Sequence, residues 1–148
     1  MFQFEADFVN SLRCIPMGVR LKLDTCGVKL KLNHWHSFSL AERQRLVDQP
    51  CDTAAAIATY RDTLQALVLA HTGEPAKTLP IESAPPWLNP AEIPAQVQAQ
   101  AQALNCSLTL DQWQALRPDQ RFALIKLSRP GHENRNFLPA MQEFGLAA

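Results

Sequence analysis

Gln98 to Leu108 reads QAQAQALNCSL, and this short segment determines the fold class that we predict for the chain. Alternating glutamine and alanine favours helix, because both residues are good helix formers and alanine is depleted in strands. A counterpart lies 78 positions earlier, where Leu21 to Leu30 reads LKLDTCGVKL. On its own, that counterpart alternates like a β-hairpin around a glycine-containing turn. Because the two segments belong to one repeat, helix is predicted for both.

The repeat relates residues 15–48 to residues 93–126 without a gap. It predicts an all-α fold, in which two internally duplicated helix-loop-helix units pack on a central helix. Each half alone would be small for an independent core, so a single domain over residues 1–148 is predicted. The aligned identities are Ile15 with Ile93, Pro16 with Pro94, Val19 with Val97, Leu30 with Leu108, Leu32 with Leu110, Trp35 with Trp113, Arg43 with Arg121 and Leu46 with Leu124.

The ends of the repeated helices carry recognisable signals. Pro16 and Pro94 are predicted at the first helical position, where a missing N–H has no cost. Gly27 and Asn105 are predicted to end these helices in the left-handed conformation. Capping boxes are predicted at residues 39–42 (Ser-x-x-Glu) and 109–112 (Thr-x-x-Gln), and Pro118 is predicted to begin the last repeated helix.

Other segments flank the repeat. A central helix is predicted over residues 53–71, followed by a proline-rich strap over residues 74–94. In the strap, Pro85-Pro86-Trp87 is predicted to be extended, with Trp87 and Leu88 as anchors. Helical spacing also predicts a helix near each terminus. The apolar residues that carry this spacing are Phe4, Phe8, Val9 and Leu12 at one end and Phe137, Met141 and Phe144 at the other.

Composition restricts the class of protein. The 148 residues are 47% hydrophobic and 19% charged, with a formal net charge of zero. A net charge of zero therefore gives the protein no overall electrostatic attraction to nucleic acid or to anionic lipid. No apolar run approaches the roughly 20 residues of a membrane span, and no secretory leader is evident. We expect a cytosolic protein with neither membrane nor nucleic-acid partners.

Cysteine and histidine are the side chains of this chain that could serve as metal ligands or nucleophiles. Cys14, Cys26, Cys51 and Cys106 are irregularly spaced, which predicts reduced, mostly buried thiols without structural zinc. The spacing of the pair at residues 34–36 (His-x-His) does not place both rings on one helical face, so solvated surface is favoured.

His71, in the last turn of the central helix, is predicted to stabilise that helix end rather than to act in catalysis. Neither the thiols nor the imidazoles form a recognisable nucleophile–base pair, so the sequence predicts no catalytic site and no cofactor.

A polar loop over residues 129–136 (RPGHENRN) contains many directed hydrogen-bonding groups between two helices. A solvated loop in which Asn136 caps the final helix would explain it. A recognition loop is the alternative, since function concentrates on loops held by rigid scaffolds. A second candidate is the charged face of the first repeated helix, where Arg20, Lys22 and Asp24 stand in place of glutamines in the other copy. A solubilising face would explain that pattern equally well.

The chain resembles the nitrate reductase-associated proteins. The resemblance is carried by residues 13–17 (RCIPM), 22–27 (KLDTCG), 50–53 (PCDT), 85–88 (PPWL), 122–125 (FALI) and 126–139 (KLSRPGHENRNFLP). It spans nearly the whole chain, with these phrases in order, which makes it more specific than any single motif.

What the resemblance implies is a process and a partner. The family is linked to assimilatory, molybdenum-dependent nitrate reductase, so a non-catalytic accessory or maturation factor is expected, with no cofactor and no metal. A small-ligand or metal-delivery protein using Cys and His side chains is the alternative, and an enzyme comes last. The family supplies no residue roles, so the expected partner-binding residues come from the polar loop and the charged helix face described above: Arg129, His132, Glu133, Asn134, Arg135, Arg20, Lys22 and Asp24.

Overall fold

Helices account for most of the chain in the computed structural model, which describes residues 1–6 and 11–148 and, of His132, the backbone alone. The predicted all-α class is confirmed. Phe8 and Val9, placed in a predicted N-terminal helix, lie outside the described residues. The helices are α1 (Met17–Cys26), α2 (Leu32–Ser37), α3 (Leu40–Asp48), α4 (Ala54–Thr72), α5 (Ala95–Ala103), α6 (Leu110–Ala115), α7 (Pro118–Leu127) and α8 (Phe137–Glu143).

The helix ends follow the sequence signals closely. Helices α1 and α5 begin one residue later than predicted, because Pro16 and Pro94 occupy the extended N-cap position instead of the first helical one. Gly27 ends α1 with φ 74°, and Asn105 follows α5 with φ 57°, both left-handed as predicted. Helix α7 begins at Pro118, which confirms that prediction.

Both predicted capping boxes are present. In α3, the Ser39 hydroxyl accepts the Glu42 N–H at 3.1 Å, and the Glu42 carboxylate accepts the Ser39 N–H at 2.7 Å. In α6, Thr109 and Gln112 exchange the same two bonds at 3.2 and 2.9 Å. Each box satisfies N–H groups that the first helical turn leaves without intrahelical acceptors.

Two compact units divide the chain, residues 1–82 and residues 83–148. In the first unit, α4 packs against α1 and α2. This helix ends at Gly73, within a residue or two of its predicted bounds. The core side chains of this unit with no exposed area are Trp35, Leu46, Tyr60, Leu64 and Val68.

In the second unit, α7 packs against a 3₁₀ helix, Pro86–Leu88, and against α8. Trp87 is 9% exposed and its ring meets Phe122 edge-on at 5.0 Å, which confirms it as an anchor of the strap. Leu88 is 56% exposed, so its predicted anchoring role is wrong. Residues 86–88 turn instead of extending, and this turn directs the indole inward and Leu88 outward.

The chain termini agree only in part with the prediction. At the C-terminus, α8 buries Phe137 and Met141 completely, whereas Phe144 is half-buried. At the N-terminus, Gln3–Glu5 forms a short 3₁₀ helix.

A two-stranded antiparallel ladder, β1 (Val28–Lys29) with β2 (Lys77–Thr78), was not predicted. Val28 pairs with Thr78 and Lys29 with Lys77, and the Leu79 N–H extends the ladder by donating to the Gly27 carbonyl at 2.7 Å. Strands this short leave almost no alternating pattern in the sequence, which explains why the sequence did not reveal them.

Helix boundaries repeat at the predicted spacing of 78 positions. Met17 and Ala95 begin the first helices, Leu32 and Leu110 the second, and Leu40 and Pro118 the third. The duplication, the shared central helix and the single domain stay predictions. Among the helices of the described residues, none is long and apolar enough to span a bilayer.

Candidate functional site

Lys22, one of the predicted contact residues on α1, is half-buried and reaches the C-terminal end of α3. Its Nζ donates to the carbonyls of Val47 at 2.6 Å, Gln49 at 2.7 Å and Leu46 at 3.4 Å. The last carbonyls of a helix lack intrahelical donors and form the negative end of its dipole. The ammonium group therefore caps α3.

The surroundings of Lys22 support this structural role. Nζ lies 5.5 Å from the centroid of the Tyr60 ring, and the Tyr60 hydroxyl donates to the Leu46 carbonyl at 2.8 Å. Burial lowers the pKa of Lys22, and burial raises the pKa of Tyr60. The Lys22 ammonium group and the Tyr60 hydroxyl are thus partly shielded from water, and backbone carbonyls accept their hydrogen bonds.

The second unit performs the same capping with different residues. Gln100, which aligns with Lys22, donates to the Asn134 side-chain oxygen at 3.1 Å. The Asn134 amide then donates to the carbonyls of Leu127 at 3.2 Å and Arg129 at 3.3 Å, at the end of α7. A two-residue relay in one unit thus replaces a single lysine in the other. Asn134, also a predicted contact residue, has a structural role like that of Lys22.

The remaining predicted contact residues lie in two separate regions. On α1, Arg20 and Asp24 are half-buried. In the loop before α8, Arg129 and Arg135 are exposed and Glu133 is half-buried. The backbone of residues 132–136 forms a 3₁₀ helix. Each region stands as a candidate surface of its own unit.

Sequence reasoning missed the role of the repeated arginines. Arg43 Nε donates to the Trp35 carbonyl at 3.1 Å, and its two terminal nitrogens donate to the carbonyls of Leu12 at 3.2 Å and His36 at 3.1 Å. The Trp35 indole N–H donates to the same Leu12 carbonyl at 2.7 Å. Arg43 and Trp35 thus both donate to the Leu12 carbonyl, and they hold the segment that precedes α1 against α2.

Arg121 repeats this arrangement in the second unit, where it is only 5% exposed. Nε donates to the Trp87 carbonyl at 2.8 Å, and Nη1 donates to the carbonyls of Leu116 at 2.7 Å and Trp113 at 3.3 Å. The Trp113 indole N–H donates to the Asn89 carbonyl at 3.0 Å. In the sequence, these two arginines are marked only by the alignment of Arg43 with Arg121. The structure adds that each of them donates to backbone carbonyls of its own unit.

Two of the four thiols, those of Cys26 and Cys51, have little nucleophilic character. Cys26 is buried, as predicted, and burial raises its pKa to about 11. Cys51 is half-buried, and burial raises its pKa as well. Both are protonated at neutral pH, whereas a reactive cysteine needs the thiolate. Cys14 is exposed and Cys106 is half-buried.

Each histidine ring that the structure describes has a hydrogen-bonding partner. His34 Nδ1 accepts the Lys31 N–H at 3.2 Å, and His36 Nε2 lies 2.9 Å from the Arg13 carbonyl. His71 Nε2 pairs with the Glu42 carboxylate at 2.8 Å and so links the end of α4 to the start of α3. Over residues 1–6 and 11–148, no three Cys, His, Asp or Glu side chains cluster in a way that could hold a metal ion.

Replacing Lys22 by methionine tests its structural role. We expect the free energy of unfolding to fall by about 1–3 kcal/mol, because the α3 carbonyls lose their shared donor while the aliphatic volume is kept. Urea denaturation followed by circular dichroism measures the change. Arg45→Met, at an exposed position on α3 of the same unit, should leave stability nearly unchanged. If Lys22→Met kept its stability but the activity of the protein partner were lost, Lys22 would again be a candidate contact residue.

Comparison with known proteins gives one family. The sequence model of the conserved nitrate reductase-associated proteins matches residues 1–144. No curated protein and no solved structure matches the chain.

Proposed function

Because the chain belongs to the family of conserved nitrate reductase-associated proteins, we propose that it is a non-catalytic accessory or maturation factor of assimilatory, molybdenum-dependent nitrate reductase. It acts in the cytoplasm through direct contact with that enzyme. The observation that carries this proposal is the extent of the match, residues 1–144, which takes in the helices of both compact units.

The chemistry of the side chains supports binding rather than catalysis. The Cys26 and Cys51 thiols are protonated at neutral pH, because burial raises the pKa of each. His34 and His36 bond to backbone groups of their own unit. These four are among the Cys and His side chains that a small-ligand or metal-delivery protein would use, so the accessory role is the better supported of the two.

The loop before α8 is the proposed contact surface. Asn134 anchors it to the end of α7, which leaves Arg129 and Arg135 exposed on a fixed backbone. Guanidinium groups held in this way suit paired hydrogen bonds to carboxylates of a protein partner. His132 and Glu133 belong to the same proposed surface.

The test is complementation of a strain that lacks this protein. Cells that carry Arg129→Ala/Arg135→Ala should show several-fold lower nitrate reductase activity at normal protein levels, because the change removes two exposed guanidinium groups. Stability should stay nearly constant, since exposed residues usually contribute little to it. The matched control is Arg45→Ala/Arg117→Ala, which removes two exposed arginines elsewhere and should restore full activity.

Two outcomes would contradict the proposal at different levels. Full activity with Arg129→Ala/Arg135→Ala would exclude the loop as the contact surface and leave the accessory role intact. Normal nitrate reduction in the strain without any complementing gene would overturn the accessory role itself.

A further inference from the structure

Lys29 and Lys77 face each other directly across the β1–β2 ladder, and both are exposed. Residues directly opposite in an antiparallel pair have Cβ atoms about 5 Å apart on the same face, where like charges destabilise the pairing. Within the described part of the chain, neither ammonium group has a hydrogen bond or an ion pair. The fold therefore carries an unfavourable charge pair that no contact among the described residues offsets.

A third lysine extends this basic face. Exposure alternates along the extended segment after α1, with Val28 buried, Lys29 exposed, Leu30 half-buried and Lys31 exposed. Since alternate residues of an extended chain share a face, Lys31 lies on the same side as Lys29. Three positive charges thus gather locally on a chain whose formal net charge is zero.

Apolar side chains accompany the lysines. Leu79 lies two positions after Lys77, on the same side of the strand, and is 38% exposed. Leu32 follows Lys31 directly and is 53% exposed. Exposed leucines beside unpaired charges are typical of a protein–protein contact, in which the apolar groups are buried and the charges select the partner.

The backbone beneath this face is firmly held. Val28, on the opposite side of β1, is 1% exposed and belongs to the core of the first unit. A Cβ at Gly27 would lie 2.7 Å from the Leu79 carbonyl oxygen, so glycine allows these two segments of the backbone to approach this closely. The lysines are therefore presented from a fixed ladder.

Lysines on short edge strands also discourage aggregation. That purpose is served by one lysine on either strand and does not require two in direct opposition. Nucleic acid is a poorer fit than protein, because a handful of lysines is a small footprint for phosphate binding and an exposed leucine, Leu79, shares the face. The charge and the leucines together fit a carboxylate-rich protein segment.

We infer that Lys29, Lys31 and Lys77, with Leu32 and Leu79, form the surface that receives an acidic segment of the protein partner. This inference rests on the proposed function, since nitrate reductase is the partner proposed above. It adds a second contact surface, in the first unit, and specifies the chemistry that this surface recognises.

The single substitution Lys29→Glu gives a diagnostic pair of effects. It converts the like-charge pair with Lys77 into an opposite-charge pair, so the melting temperature should rise by about 1–4 °C. At the same time it should weaken binding of purified nitrate reductase at low salt by at least about tenfold. Higher stability together with weaker binding is a result that a purely structural role for Lys29 would not produce.

Binding is measured with the full chain by titration calorimetry, using purified nitrate reductase, a glutamate-rich decapeptide and a short DNA duplex as separate probes. Lys29→Glu/Lys77→Glu should lose both the reductase and the peptide. Arg45→Glu is the control, because it makes the charge change of Lys29→Glu at an exposed position on α3. It should bind both probes as the wild type does.

Each outcome has one meaning. Wild-type affinity of Lys29→Glu/Lys77→Glu for the reductase overturns this inference and leaves the proposed function standing. If the wild type binds the acidic peptide through these lysines but not the reductase, the surface is supported and the proposed function fails. If the wild type binds neither the reductase nor the acidic peptide, this inference and the proposed function are both overturned. If it binds the DNA duplex in preference to the other two probes, the assignment to a protein partner is overturned.

Discussion

Replacing Trp113 by alanine is expected to lower the free energy of unfolding by about 3–5 kcal/mol. The side chain has no exposed area, so its removal leaves a cavity in the second unit. It also removes the indole N–H that donates to the Asn89 carbonyl at 3.0 Å. Urea denaturation followed by circular dichroism at several protein concentrations measures the loss.

Two companion variants separate the causes of this effect. Trp113→Phe keeps most of the apolar volume but loses the donor, and we expect a loss of about 1–3 kcal/mol. Leu110→Ala, at a 43% exposed position on the same short helix, should change stability by less than about 0.5 kcal/mol. Equal effects of Trp113→Ala and Leu110→Ala would contradict the placement of Trp113 in the core.

Arg121→Ala is expected to cost about 3–5 kcal/mol, although it removes no ion pair that the structure describes. The guanidinium group is the shared donor of three backbone carbonyls, those of Trp87, Trp113 and Leu116. Without it, the carbonyls of Trp87 and Leu116 lose this donor in a buried setting, whereas the Trp113 carbonyl keeps the Leu116 N–H at 3.2 Å. Thermal and urea unfolding of the full chain measure the loss.

Arg121→Lys should restore only part of the stability, because a single ammonium group cannot reproduce the planar fork of donors. Arg43→Ala is the matched variant in the first unit. Arg43 is half-buried, so water can replace some of its bonds, and we expect a smaller loss of about 1–2 kcal/mol. Equal losses at the two positions would show that burial of Arg121 does not set its contribution.

Local signals in the sequence predicted the secondary structure well. The capping boxes at Ser39 and Thr109, the proline at residue 118 and the glycine at residue 27 all act within one helical turn. Such interactions depend on neighbours a few positions away, so a sequence is enough to find them. The repeat added a second copy of α1, which excluded a hairpin at residues 21–30.

Long-range contacts could not be predicted in this way. Arg121 reaches a carbonyl 34 positions away, and Lys22 reaches carbonyls up to 27 positions away. From the sequence, Lys22 was a charged residue replacing a glutamine and therefore a candidate for partner contact. Its bonds to the end of α3 explain that charge from within the fold, and the relay through Asn134 takes the corresponding role in the second unit.

The strap shows the same limit on a smaller scale. Trp87 and Leu88 were predicted as equal anchors because both are large and apolar. The 3₁₀ turn at residues 86–88 separates them, and only the indole is buried. Which of two adjacent apolar residues points inward depends on backbone torsions that the proline pair restricts without fixing.

The ladder between β1 and β2 bears on the order in which the first unit folds. Val28 and Thr78 pair across an intervening chain of about fifty residues, which contains α2, α3 and α4. Closing a loop of this length costs configurational entropy before any contact compensates for it, so such pairings form late on the folding pathway. We therefore expect Lys29 and Lys77 to come together only after the intervening helices are in place. The acidic partner would then distinguish a finished chain from a nascent one, and recognition at this surface would report that folding of the unit is complete.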